Sequence, residues 1–147
     1  MPRSLDQGIV ERISSECLLG QWRKVSRLLT GIYESEMRTF GLKSSQLSLL
    51  VAVAKAGPVR RIDLGKRLRL DPSTLTRNLQ VMLKQGWIEE KRDDHDQRSA
   101  RLTVTAKGRK LLESIGPAWM RAQARAKQLL GSDGAAVVLD LAGAEPP

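Results

Sequence analysis

At 147 residues the chain is short enough for one domain and long enough to bury a core. Hydrophobic residues make up 41% and charged ones 28%, a globular balance, and an aromatic share of 3% makes that core aliphatic. The longest apolar run, Leu47 to Ala54 with Ser48 inside it, falls far short of the ~18 residues of a membrane-spanning helix, and Met1 to Gly8 lacks the basic patch and apolar stretch of a secretory signal. A cytoplasmic location without a membrane partner is therefore expected.

A single Cys17 cannot close an internal disulfide, and a single His95 cannot join it in a four-ligand zinc site, so neither metal nor cofactor is expected. His95 sits in the charged run Asp93-Asp94-His95-Asp96, which reads as a loop tip rather than a cleft. No catalytic constellation assembles from these residues, and the chain reads as a non-enzyme.

Lys and Arg number 25 against 16 Asp and Glu, a net charge of +9. The segment Pro58 to Lys110 holds 14 basic and 7 acidic residues, or +7, whereas the first 57 residues carry +3 and the last 37 carry −1. The excess is concentrated in the middle third, as expected if one segment meets a polyanion and the two ends do something else.

Along the N-terminal part, Leu18, Trp22, Val25, Leu29 and Ile32 fall at steps of four, three, four and three. That stripe predicts one long helix within residues 8–40, packed on a partner chain or on its own core. Ser44 or Ser45 is a predicted cap for a second, nearly all-apolar and buried helix through Leu47, Leu50, Val51 and Ala54 to Gly57. Ile62, Leu64, Leu68 and Leu70 then supply the apolar side of a short helix carrying Lys66, Arg67 and Arg69.

Asp71 is a good helix cap and Pro72 suits the first helical position, so a further helix starts at once after a tight turn. Its apolar residues Leu75, Leu79, Met82 and Leu83 share one face. Turning ~100° per residue then puts Ser73, Arg77, Gln80 and Lys84 on the opposite face, with Thr74 flanking its start. Arg forks onto guanine, Gln onto adenine, and short hydroxyl side chains let a helix end approach base edges, which is what a major-groove reader requires.

Gly86 ends that helix. Trp87 to Arg92 and Arg101 to Thr105 flank the polar run Asp93 to Ala100, predicting a β-hairpin in which Leu102 and Val104 face inward. Helix, turn, helix and basic-tipped hairpin make a winged helix, with Arg98 at the tip positioned for the minor groove. Thr105 caps a final long helix, Ala106 to about Leu130, kinked at Gly116-Pro117, and Ser132 caps a short apolar helix from Ala135 to Ala142. The predicted class is mainly α with a small β-hairpin wing (α+β). N-terminal (8–40) and C-terminal (106–147) dimerisation helices flank a winged helix-turn-helix lobe (44–110).

Asp71-Pro72-Ser73-Thr74-Leu75-Thr76-Arg77, Leu83-Lys84-Gln85-Gly86-Trp87-Ile88, Asp93-Asp94-His95-Asp96-Gln97-Arg98 and Leu102 to Gly108 together resemble the multiple antibiotic resistance regulator (MarR) family of bacterial repressors. The agreement in order and spacing runs from about Gly41 to Leu112. The resemblance implies a homodimer with interlocking terminal helices and two winged lobes on a palindromic double-stranded DNA operator. It implies that Asp96 holds the wing loop and Arg98 probes the minor groove. It also implies that Ser73, Thr74, Thr76 and Arg77 touch bases and phosphates, although the helical face alone puts Thr76 to one side. A small effector, phenolic or another anionic aromatic, is implied between the dimerisation helices and the lobe. The chain departs from the family pattern in its short segment after Leu130 and in Gly65, where a small helix-forming Ala is more usual.

Trp22, Arg23, Trp119 and Arg121 are candidate pocket residues, with the two tryptophans read first as core. Lys107 is a candidate phosphate contact. Two alternatives stand beside the ligand-responsive repressor. One is a peroxide-sensing repressor using Cys17, which would need an accessible, low-pKa thiol. The other is an architectural or protein-docking winged helix without operator specificity.

Overall fold

The computed structural model describes residues 6–93 and 96–144, with the side chains of residues 93 and 96–99 outside that description. Helix α1 (Gln7–Glu16) starts where the Asp6 carboxylate accepts the amides of Gly8 and Ile9. The long N-terminal helix predicted from the apolar stripe is in fact two. It breaks at Cys17, whose ψ of 106° is extended, and resumes as α2 (Leu18–Met37). Local hydrogen bonding explains the break. The Ser14 and Ser15 hydroxyls both donate to the Glu11 carbonyl, and the Gln21 amide donates to the freed carbonyls of Ser14 and Ser15.

A 3-10 turn (Arg38–Phe40) and Gly41, in the left-handed region at φ 65°, lead into α3 (Ser44–Ala56). The cap of α3 is Lys43 rather than either serine, because Gln46 Oε1 reaches back 3.0 Å to the Lys43 amide. Helix α3 is also less buried than its composition predicts: Leu47, Leu49, Leu50 and Val53 point inward, but Val51 is 47% exposed.

Helix α4 (Arg61–Leu68) buries Leu64 and leaves Ile62 exposed, so its apolar side is narrower than predicted. Arg69 and Leu70 turn the chain into α5 (Pro72–Lys84), with Arg69 in the left-handed region at φ 52°. Strands β1 (Ile88–Asp93) and β2 (Asp96–Val104) pair antiparallel, Ile88 opposite Val104 and Glu90 opposite Leu102, with an irregularity between Lys91 and Asp93. Most of the predicted polar loop from Asp93 to Ala100 is thus strand. Val59 adds a bridge on the far side of β2, exchanging both backbone hydrogen bonds with Leu102 at 3.1 and 2.8 Å.

The predicted final helix is likewise two, α6 (Ala106–Ser114) and α7 (Gly116–Gly143), separated at Ile115 just before Gly116-Pro117. Within α7, Gly131 leaves helical geometry at φ 72°, ψ 172° and turns Ser132–Gly143 back. The end of that segment reaches the lobe, where the Arg69 guanidinium donates to the Ala144 carbonyl.

The aliphatic core joins α3, α4, α5 and the hairpin, with Leu49, Leu50, Leu64, Leu79, Met82 and Leu102 fully buried. Ile115 and Ala118 extend it to the α6–α7 junction. Helices α2 and α7 run together outside the lobe. Glu36 accepts from Arg121 at 2.9 Å and from Arg125 at 3.1 Å, and the Tyr33 hydroxyl donates to Gln123 Oε1. The Arg121 hydrogen bond comes first among the effects that hold the Glu36 carboxyl below its ordinary range.

Candidate nucleic-acid interface

Helix α5 is set by its first residues. Asp71 Oδ1 accepts from the Ser73 hydroxyl at 2.6 Å and from the Thr74 amide at 2.9 Å, and Pro72 follows at the first helical position. These donors, Ser73 foremost, hold the Asp71 carboxyl well below its usual range. Leu75, Leu79 and Met82 anchor the inner face. Gly65 of α4 lies at the α4–α5 crossing, where an added Cβ would sit 3.1 Å from Leu75 Cδ2, so that alanine requires the end of the Leu75 side chain to give by a few tenths of an ångström.

Anchored this way, α5 presents Ser73, Thr76, Arg77, Gln80 and Lys84 to solvent, with Thr74 half-buried at the start of the row. The residues selected by helical spacing lie on one face, and Thr76 is exposed beside them. The Ser73 hydroxyl proton is also part of the cap, so donation to a ligand competes with Asp71 while the oxygen can still accept.

Asn78 is a positioning residue that the sequence reading missed. Its Nδ2 donates to the Thr74 carbonyl at 3.0 Å, and its Oδ1 accepts from Ser45 Oγ of α3 at 3.0 Å, which fixes the rotation of α5 against α3. The sequence signal was slight: one amide between the apolar and basic faces.

The far end of α5 is held as firmly. The Lys107 ammonium donates to the Gln85 carbonyl at 2.7 Å, a cation at a helix C-terminus. Thr105 Oγ1 donates to the Gly86 carbonyl at 2.6 Å and accepts the Gly108 amide that it caps. Arg61 forks onto both oxygens of Glu90 at 2.7 and 2.8 Å and ties α4 to β1. That bond chiefly lowers the Glu90 pKa and raises that of Arg61.

On the wing, Lys91 stands opposite Arg101, both side chains exposed, and the Lys91 ammonium pairs with Glu89 Oε1 on its own strand at 2.9 Å. Asp96 and Arg98 lie on β2, but their side chains, like His95, fall outside the described residues. Trp22 and Trp119, read first as core, are instead 48% and 43% exposed, and Trp119 lines a cavity between α2, α3 and α7. The Arg121 guanidinium is engaged with Glu36. Among the described residues no cluster of three or more His, Cys, Asp or Glu side chains could hold a metal ion, and no helix is long and apolar enough to cross a membrane.

The MarR family model matches residues 40–99, from the turn before α3 into the wing. The HTH-type transcriptional regulator YwoH of Bacillus subtilis is 28% identical over 98 residues, spanning 67% of this chain and 71% of YwoH. BilQ of Clostridium symbiosum, also an HTH-type transcriptional regulator, is 30% identical over 80 residues, 54% of this chain and just over half, 56%, of BilQ. A mutant of MarR from E. coli, solved with operator DNA, superposes with a TM-score of 0.78 over 88% of this chain and 94% of that one; at 19% identity the likeness is one of fold. Reduced AbfR bound to DNA superposes with a TM-score of 0.66 at 26% identity, covering 77% of this chain and 82% of AbfR. The family match, the helix-turn-helix relatives and a winged lobe with α5 on its outer surface agree: residues 40–99 are similar to the MarR family, and the chain shares the fold of MarR.

Proposed function

We propose that this chain is a sequence-specific, dimeric DNA-binding repressor released from a palindromic operator by a small molecule. In this reading α5 enters the major groove of double-stranded DNA. Arg77 and Gln80 read base edges there, Ser73, Thr74 and Thr76 approach at the helix start, and Lys84 neutralises phosphate. The wing, with Asp96 and Arg98, follows the neighbouring minor groove. The observation that carries the reading is the exposure of one contiguous basic and amide-bearing face on a helix whose opposite face is buried and whose two ends are both tied down. The middle-third charge of +7 fits the same polyanion. MarR and AbfR, which share the fold, have been solved with DNA.

Dimerisation is the function proposed for the terminal helices, since a single lobe reads too few base pairs for a specific site. The Cys17 alternative gains little from the geometry. The half-buried thiol lies at the α1–α2 break, while Tyr33, the chain's one tyrosine, is near the other end of α2 and bonded to Gln123. Outward-facing Arg77 and Gln80 favour base reading over an architectural role, and a docking module would need neither Arg98 nor the +7 segment.

Selection of bound fragments from genomic DNA by the purified protein, at a stated salt concentration, tests the proposal. The expected product is an inverted repeat with half-sites about one helical turn, roughly 10 base pairs, apart. Fragments without a common motif would replace this reading with the architectural one.

A further inference from the structure

We propose that Arg61 is a positioning residue for minor-groove recognition: its fork onto Glu90 sets the tilt of the wing relative to α5. The inference rests on the wing reading given above and adds the residue pair that aims Arg98. Glu90 and Leu102 face each other across the hairpin, and residues 59–61 hold both ends of that rung. Val59 exchanges backbone hydrogen bonds with Leu102 at 3.1 and 2.8 Å, while the Arg61 guanidinium closes on Glu90 at 2.7 and 2.8 Å. The buried Ile88 and Leu102 and the backbone bridge secure the root of the hairpin, but all lie at this rung or inside it. Lys91, Arg92 and Arg101, next outward, are exposed, so the tilt of the outer wing depends on what holds β1 at Glu90. A planar fork on a carboxylate fixes an angle as well as a distance.

The neighbouring charges are engaged elsewhere. Arg60 closes on Asp63 within α4 at 2.7 and 3.1 Å, and Glu89 pairs with Lys91 inside the hairpin. Arg92, the other cation acting on Glu90, lies on the same strand and cannot tie it to α4. At 37% and 21% exposure, the Arg61 and Glu90 side chains are partly withdrawn from water, which makes the pair firmer than a fully solvated one. Helix α4 is itself anchored by the fully buried Leu64 and leads directly into α5. Arg98 stands four residues outward from Leu102 along β2, roughly 13 Å away. A tilt of about 10° would carry it about 2 Å, more than a hydrogen bond tolerates.

Binding of the full chain at one salt concentration to two duplexes tests the inference: the selected inverted repeat with A·T or with G·C pairs at the flanks under the wings. Wild type is expected to prefer A·T flanks by at least about fivefold, since a narrow A·T minor groove attracts arginine, and Arg98→Ala should abolish that preference. Glu90→Met, which leaves Arg61 without its partner, should weaken binding to the A·T-flanked duplex by about fivefold while preference among half-site centres is kept. In the Arg98→Ala background the same substitution should cost less than about twofold. A purely electrostatic role predicts the opposite sign, because removing a carboxylate beside DNA strengthens binding. Arg61→Lys, which keeps the charge but not the fork, should behave as Glu90→Met does and replaces it if Glu90→Met fails to fold. Flank preference that survives the substitution, tighter binding, an equal loss of preference at the half-site centres, or losses that simply add to those of Arg98→Ala would each overturn the positioning role alone. A wild type indifferent to its flanks, or Arg98→Ala without effect on them, would remove the wing from the minor groove and this inference with it.

Discussion

Arg77 and Gln80 on α5 differ from the chain's other exposed polar groups because everything behind them is fixed. Leu79 beside them is fully buried, Asn78 is bonded to α3, and the helix cannot rotate to hide them. Arg77→Ala is accordingly expected to cost about 1 to 3 kcal/mol of operator affinity and to flatten preference among half-site variants, read by competition binding. Equal losses on operator and random DNA would reduce Arg77 to a phosphate contact. Asp71 makes a separate prediction about pH. Its folded-state pKa is depressed, so its cap contributes stability above the unfolded value of about 4, lost as pH falls through that value toward the folded one. Asp71→Asn keeps an acceptor for Thr74 but has no charge to titrate. Its acid unfolding curve should lose this component, whereas Asp71→Ala should be destabilised at every pH. Identical acid limbs for wild type and Asp71→Asn would remove Asp71 as the source.

Among the elements, the α5–β1–α6 junction is the tightest. A Cβ on Gly108 would lie 2.0 Å from the Trp87 carbonyl oxygen and 2.8 Å from Val104 Cγ1, and the nearer atom is backbone that cannot swing aside. Gly108→Ala should therefore cost on the order of 3 kcal/mol in urea unfolding, the upper range for overpacking. Gly116→Ala, with nothing within 4 Å of the added methyl, should cost far less. Comparable losses would mean that α6 shifts freely on the lobe. The same contrast between local and distant causes separates what the sequence made legible from what it did not. Helix α5 is written locally, in Asp71, Pro72 and the spacing of Leu75, Leu79 and Met82, and its exposed face followed from that spacing alone. The break at Cys17 depends on serine and glutamine side chains competing for backbone groups, which a stripe of apolar residues conceals. The Val59–Leu102 bridge joins residues far apart in sequence, and the exposure of Trp22 and Trp119 depends on packing that periodicity does not encode.

For the whole molecule, the basic excess and the bulk of the exposed apolar surface fall on different elements. The basic excess sits in the lobe, while exposed large apolar residues gather at the ends: Leu18 at 85%, Leu19 at 60% and Trp22 at 48% on α2, and Val137 at 54%, Leu139 at 69% and Leu141 at 59% on the returning part of α7. Apolar surface of that extent marks an interaction face. A second copy of the chain is the occupant that the proposed function requires. Leu18 and Leu139 contribute little to the chain's own core at these exposures, so replacing both with glutamate should leave each lobe folded, with its near-ultraviolet dichroism intact. Sedimentation should show a monomer instead of a dimer. Operator binding should weaken by at least about 100-fold, because the second lobe loses the high local concentration that the first provides. A double variant that remains dimeric would move the interface to another surface, while a monomeric variant with unchanged operator affinity would mean that one lobe suffices and the two-fold reading of the site is wrong.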